Sequence, residues 1–205
     1  AMTLKTSATL AATTLALALG ANGAAAPTGW TTAGHDLSDT RSNPDESTIG
    51  PENVGRLAAK WTFTTHGDVS ATATIAGGAV YFPDWGGYLY KVDAATGATI
   101  WSRKISDYTG IPGDVARTSP AVDGGTVFIG DQSGAHLIAV DAGTGDARWV
   151  TALDDHFASA LTQSPIVYRG VVYEGVSSNE EAFSALIPNY ACCSFRGSMT
   201  AVDAA

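Results

Sequence analysis

Residues 77–101 read GGAVYFPDWGGYLYKVDAATGATIW, and residues 124–149 read GGTVFIGDQSGAHLIAVDAGTGDARW. Laid over one another, they place Asp93 and Asp141 48 residues apart, and Trp101 and Trp149 are separated by the same 48. A third copy opens with GVVYEGVSS (170–178) and finishes with GSMTAVDAA (197–205). Its Asp203 follows Asp141 by 62 residues, so this unit carries 14 extra residues. Self-similarity at a fixed period marks a repeat architecture.

Each unit supplies several short strands. Ala79–Phe82 and Tyr88–Val92 are β-rich runs with alternating apolar residues. The Asp-Ala-Ala-Thr-Gly segment (93–97) is a turn, because Asp bonds the amides ahead of it and Gly97 supplies a positive φ. Ala98–Trp101 is the next strand, with its tryptophan placed to fill space between stacked sheets. A period near 48 residues fits four strands, the blade of a β-propeller. No stretch from Trp30 to Ala205 carries a helical period, so the chain reads as all-β. The third unit stops at Asp203-Ala204-Ala205, where the earlier units run on with Thr-Gly or Gly-Thr-Gly. The expectation is a sequence cut inside a repeat, with about two to three blades where closed propellers have roughly four to eight. Such an open stack is expected to be poorly stable or aggregation-prone alone.

The 205 residues are 45% hydrophobic and 15% charged, which fits a folded protein. Eleven basic against 20 acidic residues leave a net charge of −9, which repels phosphate backbones and argues against a nucleic-acid partner. Lys5 followed by the short apolar run Ala8–Ala21 and small residues to Ala26 reads as a cleaved secretory leader, residues 1–26. The run is too short for a membrane span, which needs about 20 apolar residues. An anchored N-terminus or a buried helix are its alternatives. Export implies a periplasmic or secreted protein in an oxidising compartment. There the adjacent Cys192 and Cys193 form a vicinal disulfide, or else remain reduced or bond another chain. No CxxCH occurs, hence no c-type haem attachment in this portion. His35, His66, His136 and His156 show no metal spacing and read as structural or surface residues.

The turn DAATG with its following tryptophan resembles the repeat of quinoprotein dehydrogenases. GVSSNEE (175–181) and CCSFRGSMTAVDAA (192–205) resemble that family's glycine-serine loop ending in glutamate and the arginine-glycine opening its next strand. GHDLSDTRSNP (34–44) and PDWGGYLYKVDAATG (83–97) resemble the opening of polyvinyl-alcohol dehydrogenases within this group. The resemblance runs from about Trp30 to the end and implies residues 27–205 as the N-terminal part of an eight-bladed propeller. It also implies pyrroloquinoline quinone (PQQ) on the axis, Ca²⁺ beside it, an alcohol substrate and cytochrome c as electron acceptor. An aspartate base removes the hydroxyl proton as hydride moves to the quinone.

Carried over by position, Glu180 is the metal ligand, with Glu181 as its competitor, and Ser177 and Ser178 bond PQQ carboxylates. Arg117, directly before a strand of the second repeat, bonds the quinone oxygens. Arg196 opens the next strand and is a second cofactor arginine, and Thr162 in LTQSP matches a threonine near a PQQ carboxylate. Asp84 and Trp85 lie at a strand end from which they would face the central funnel, Trp85 equally being a packing residue. The chain departs from methanol-dehydrogenase-like members in one respect. There the cysteine pair precedes the arginine of an earlier blade, a stretch held here by Thr109–Gly113. Stacking of Cys192-Cys193 on PQQ is expected from convergence on one axis. The resemblance implies that the floor tryptophan, the asparagine ligand and the catalytic aspartate all lie beyond Ala205. The alternative reading is a non-catalytic propeller, like the envelope scaffolds that share these repeats. Glu180 and the cysteine pair separate the two, because a scaffold needs neither.

Overall fold

Strand pairing in the computed structural model, which describes residues 29–205, follows the repeat. The expected leader at 1–26 lies outside the described residues. In the first sheet β1 (Thr74–Ala76), β2 (Ala79–Pro83), β3 (Tyr88–Asp93) and β4 (Thr99–Lys104) pair antiparallel in chain order. The second sheet repeats this with β5 (Ala121–Asp123), β6 (Thr126–Gly130), β7 (His136–Asp141) and β8 (Ala147–Ala152). In the third, β11 (Val171–Ser178) pairs on one side with both β9 (Ser159–Leu161) and β10 (Ile166–Tyr168), and on the other with β12 (Ser198–Asp203). The three sheets are successive propeller blades, and the all-β reading holds. Among the described residues a 3₁₀ turn at Val54–Arg56 and two short α-helices, α1 (Ile105–Thr109) and α2 (Glu180–Leu186), interrupt it. The second occupies part of the 14-residue excess of the third unit.

The blades stack through apolar faces that alternate along each strand. Ala79, Tyr81, Trp101 and Ile105 from the first meet Val127, Ile129, Ile138 and Val140 from the second. The other face of the second blade, through Phe128, Leu137 and Ala139, meets Leu161, Val172 and Val176. The tryptophans set the spacing. Trp61 Nε1 donates to Ala94 O at 3.1 Å, and Trp101 Nε1 donates to Ala142 O at 3.2 Å. Each indole lies on the glycine of the turn it caps, so that a Cβ would stand 2.7 Å from Trp61 at Gly97 and 2.9 Å from Trp101 at Gly145. Both glycines also have positive φ, 73° and 78°. The Thr-Gly of the repeat is therefore both a turn and a seat for the preceding blade's tryptophan.

The inner strands are tied by hydroxyls. Thr72 N–H donates to Ser119 Oγ, and Ser119 N–H donates to Ser164 Oγ, each at 2.9 Å. Two aspartates at equivalent positions hold the blade hairpins. Asp84 accepts from the amides of His66, Gly67 and Tyr88 and from the Tyr90 hydroxyl. Asp131 accepts from the His136 amide and faces its Nδ1 at 2.6 Å. Asp84 is thus buried and committed to its own hairpin and does not face a funnel. Trp85 is partly exposed and donates to Ser70 Oγ.

One buried side chain breaks the apolar pattern. Counting from the glycines Gly78, Gly125 and Gly170, whose carbonyls accept from Ala94, Ala142 and Ala204, Glu174 stands where Phe82 and Ile129 stand in the other blades. It is 0% exposed, and neither carboxylate oxygen has a hydrogen-bond partner among the described residues. Burial pushes its carboxyl up to about 9.

Trp101→Ala removes a buried indole and its bond to the next blade. It is expected to cost about 3–5 kcal/mol in chemical denaturation. Gly145→Ala, which deletes no side chain, should destabilise in the same direction through the steric clash alone. Glu174 gives a pH dependence. Its raised folded value means that the protonated acid is the stable form in the fold. Its stability contribution is complete below the unfolded carboxyl range and is lost as pH rises toward about 9. Glu174→Ile should raise the melting temperature, by an amount equivalent to about 1–3 kcal/mol at neutral pH, and flatten the decline between acid and alkaline pH. A variant whose pH profile still parallels the parent's would assign that decline to other groups.

Candidate functional site

The inner strand of the second blade loosens between the bridge at Ala116 and β5, and that of the third between β9 and β10. The sequences at these breaks correspond: Arg117-Thr118-Ser119-Pro120 and Thr162-Gln163-Ser164-Pro165. Arg117 and Thr162 thus hold the same position on neighbouring blades, and both line one open cleft of about 510 Å³. Ser177 and Ser178 at the end of β11, Glu181 on the first turn of α2, and Phe195 complete most of its wall. Within that wall Thr162 Oγ1 lies 2.9 Å from Ser177 Oγ, which donates to Ala160 O at 3.0 Å. Sequence reasoning named Arg117, Thr162, Ser177 and Ser178 as cofactor groups, and the fold brings these four together.

The remaining named residues lie differently. Cys192 and Cys193, joined by a disulfide, are exposed on the loop that leads to β12 and are not among the residues lining the cleft. Arg196 is exposed, and its guanidinium turns back to the carbonyls of Cys193 and Phe195. Glu180 points inward. It is 1% exposed, and its carboxylate takes four hydrogen bonds from the cysteine loop. Burial opposes ionisation of Glu180, but the Phe195 and Ser194 amides and the Tyr190 and Ser194 hydroxyls outweigh it and hold the carboxyl at about 2. The acid that reaches the cleft is its neighbour Glu181.

A second polar layer went unseen in the sequence. Asp114 and Asp131 are both buried, and Asp114 accepts from the Thr109 hydroxyl at 2.8 Å. Burial, and then the Asp114 carboxylate, push Asp131 up to about 9, while His136 pairs with it. The adjacent Gln132 donates to Asn179 Oδ1 at 3.0 Å, linking this layer to the residue before Glu180. The four histidines all have side-chain partners: Asp36 for His35, Tyr90 for His66, Asp131 for His136 and Ser194 for His156. Among the described residues no three His, Cys, Asp or Glu side chains group to hold a metal ion.

A guanidinium beside three hydroxyls suits an acidic, oxygen-rich planar ligand, since Arg binds carboxylates in fork geometry and hydroxyls both donate and accept. PQQ fits that donor set. Calcium fits Glu180 poorly, because the carboxylate is 1% exposed and already accepts four hydrogen bonds, three on Oε1 and one on Oε2.

Blades with an indole seated on a Thr-Gly turn, converging on a cleft of this chemistry, define a quinoprotein-type β-propeller. The PQQ_2 family, described as outer membrane protein assembly factor BamB, matches residues 55–186, and the chain belongs to it. Its relatives include polyvinylalcohol dehydrogenases of Sphingopyxis sp. (strain 113P3), 34% identical over 75% of this chain and 23% of that protein, and of Pseudomonas sp., 30% identical over 87% and 28%. The crystal structure of quinohemoprotein alcohol dehydrogenase from Comamonas testosteroni matches with a TM-score of 0.67 at 27% identity, over 86% of this chain and 25% of that one. The resemblance read from the sequence is thereby borne out at the level of the family. The chain spans about a quarter of the length of these relatives.

Proposed function

We propose that residues 27–205 are the N-terminal part of the propeller of an exported, PQQ-dependent alcohol dehydrogenase, preceded by a leader at 1–26. Polyvinyl alcohol and related secondary alcohols are its substrate class, and cytochrome c its electron acceptor. The observation that carries this reading is the meeting of Arg117, Thr162, Ser177 and Ser178 in one cleft.

In this reading Arg117 holds the quinone oxygens, and Thr162, Ser177 and Ser178 hold PQQ carboxylates through hydroxyl and amide groups. When bound, PQQ supplies the two-electron acceptor for a carbinol hydride. The chain's own residues bind and orient. The Thr162–Ser177 contact fixes one hydroxyl pair, and Phe195 presents an apolar wall on one side of the cleft. The proposed base is an aspartate outside this sequence. A periplasmic or secreted location accords with the absence, among the described residues, of any helix long and apolar enough to cross a membrane. The family description, an assembly factor, supports the one competing reading, a binding propeller without a cofactor.

The deciding measurement is dye-linked oxidation of polyvinyl alcohol, 2-butanol and ethanol by the whole protein, with and without PQQ and Ca²⁺. Direct PQQ binding should be followed by tryptophan fluorescence. Activity that needs PQQ and falls by about 10²-fold or more in Arg117→Ala is expected, the loss of a charge-assisted contact to the reacting group. A folded protein that neither binds PQQ nor oxidises any of the three would leave the scaffold.

A further inference from the structure

The family resemblance assigns Glu180 to a metal ion, whereas its surroundings give it a different task. Its Oε1 accepts from the Tyr190 hydroxyl at 2.8 Å, the Ser194 amide at 3.0 Å and the Ser194 hydroxyl at 3.0 Å, and its Oε2 accepts from the Phe195 amide at 2.7 Å. Three donors thus converge on Oε1 and one on Oε2, which ties the carboxylate to its surroundings through both oxygens. All four come from one six-residue stretch, Tyr190–Phe195, in the middle of which sit Cys192 and Cys193.

We propose that Glu180 is a positioning residue whose carboxylate latches the Tyr190–Phe195 segment, and with it the Cys192–Cys193 disulfide and the Phe195 wall of the cleft, onto the start of α2. Apart from Phe195 packing on the core beside His156 and Tyr190 packing on Phe183, few backbone bonds hold the segment. Regular pairing resumes only at Ser198, and the backbone bonds within it are Tyr190 N–H to Ile187 O and Cys192 N–H to Tyr190 O. The Ser194 and Phe195 amides find their acceptor in Glu180. A connection this long is entropically free to wander unless charge-assisted bonds hold it.

The latch has a second tier. Ala158 N–H donates to His156 Nδ1 at 3.2 Å, which leaves the ring proton on Nε2, 2.9 Å from Ser194 Oγ. The chain of donors therefore runs His156 to Ser194 to Glu180. That direction also excludes Ser194 as an activated nucleophile, because the histidine donates to its oxygen and accepts nothing from it. The latch does not depend on what the cleft binds.

The test is amide hydrogen exchange on the full chain, with titration of CaCl₂ alone as the metal probe. In Glu180→Ala, Ser194 and Phe195 should exchange at least about tenfold faster, the equivalent of losing one charge-assisted bond, while the β11–β12 ladder keeps its protection. Dithiothreitol should reduce Cys192–Cys193 faster in the same variant. Glu180→Gln keeps one acceptor oxygen and should restore part of the protection, whereas Glu181→Gln should leave both amides as in the parent. Should Glu180→Ala fail to fold, Tyr190→Phe combined with Ser194→Ala removes two donors, and the same two amides should loosen. Unchanged exchange at Ser194 and Phe195 in the variant measured would overturn the proposal. So would Ca²⁺ binding to the parent that Glu180→Ala abolishes in a folded chain.

Discussion

The first two blades are located by indoles, Trp61 and Trp101, each lying on the turn of the blade that follows it. The bond from Trp61 to Ala94 and that from Trp101 to Ala142 are the same interaction one repeat apart. Each is possible only because Gly97 and Gly145 leave room for the ring. Three constraints meet at this contact. The turn needs a positive φ, the ring needs a flat floor, and the indole N–H needs an acceptor in an otherwise apolar layer. A residue other than glycine fails two of them at once. With the outer parts of successive blades so fixed, their inner strands fall into register, and the serine relay from Thr72 through Ser119 to Ser164 can close. The cleft is a consequence of this register. Arg117 and Thr162 meet because they hold the same position on adjacent copies of one unit.

This dependence explains what was legible in the sequence. The Asp…Thr-Gly…Trp pattern is a packing rule written into the chain, so period, strand number and all-β class could be read from it. Arg117, Thr162, Ser177 and Ser178 could be placed because they stand at repeat-related breaks and strand ends. What could not be read is whatever the repeat does not dictate. Helix α2 is seven residues long, too short to show a helical period, and it lies in the non-repeating excess of the third unit. Glu180 has its partners 10 to 15 residues downstream in that same stretch, where no equivalent in the other units exists to compare. Asp84 was misplaced for a different reason. A strand-end aspartate reads equally as a ligand and as a turn acceptor, and only the four donors around Asp84 settle which it is.

The third blade departs from the other two in a connected way. Where they carry Asp84 and Asp131 it carries Val176, and where they turn back after five-residue strands, β11 continues for eight. The aspartate is the group that binds the returning strand's amide and closes the hairpin. Without it β11 has no local reason to turn, and it runs on past Val176, gaining β9 as a partner along Val176–Ser178. That extension carries Ser177 and Ser178 to the cleft beside Arg117 and places the start of α2 at its rim. The loop needed to return to β12 is correspondingly long, and its Tyr190–Phe195 stretch donates four hydrogen bonds to Glu180. The loss of one hairpin aspartate, the longer strand, the serine pair, the inserted helix and the buried glutamate are thus successive consequences of one local change. They gather in the third blade, which supplies most of the wall of the cleft, with Arg117 reaching it from the second.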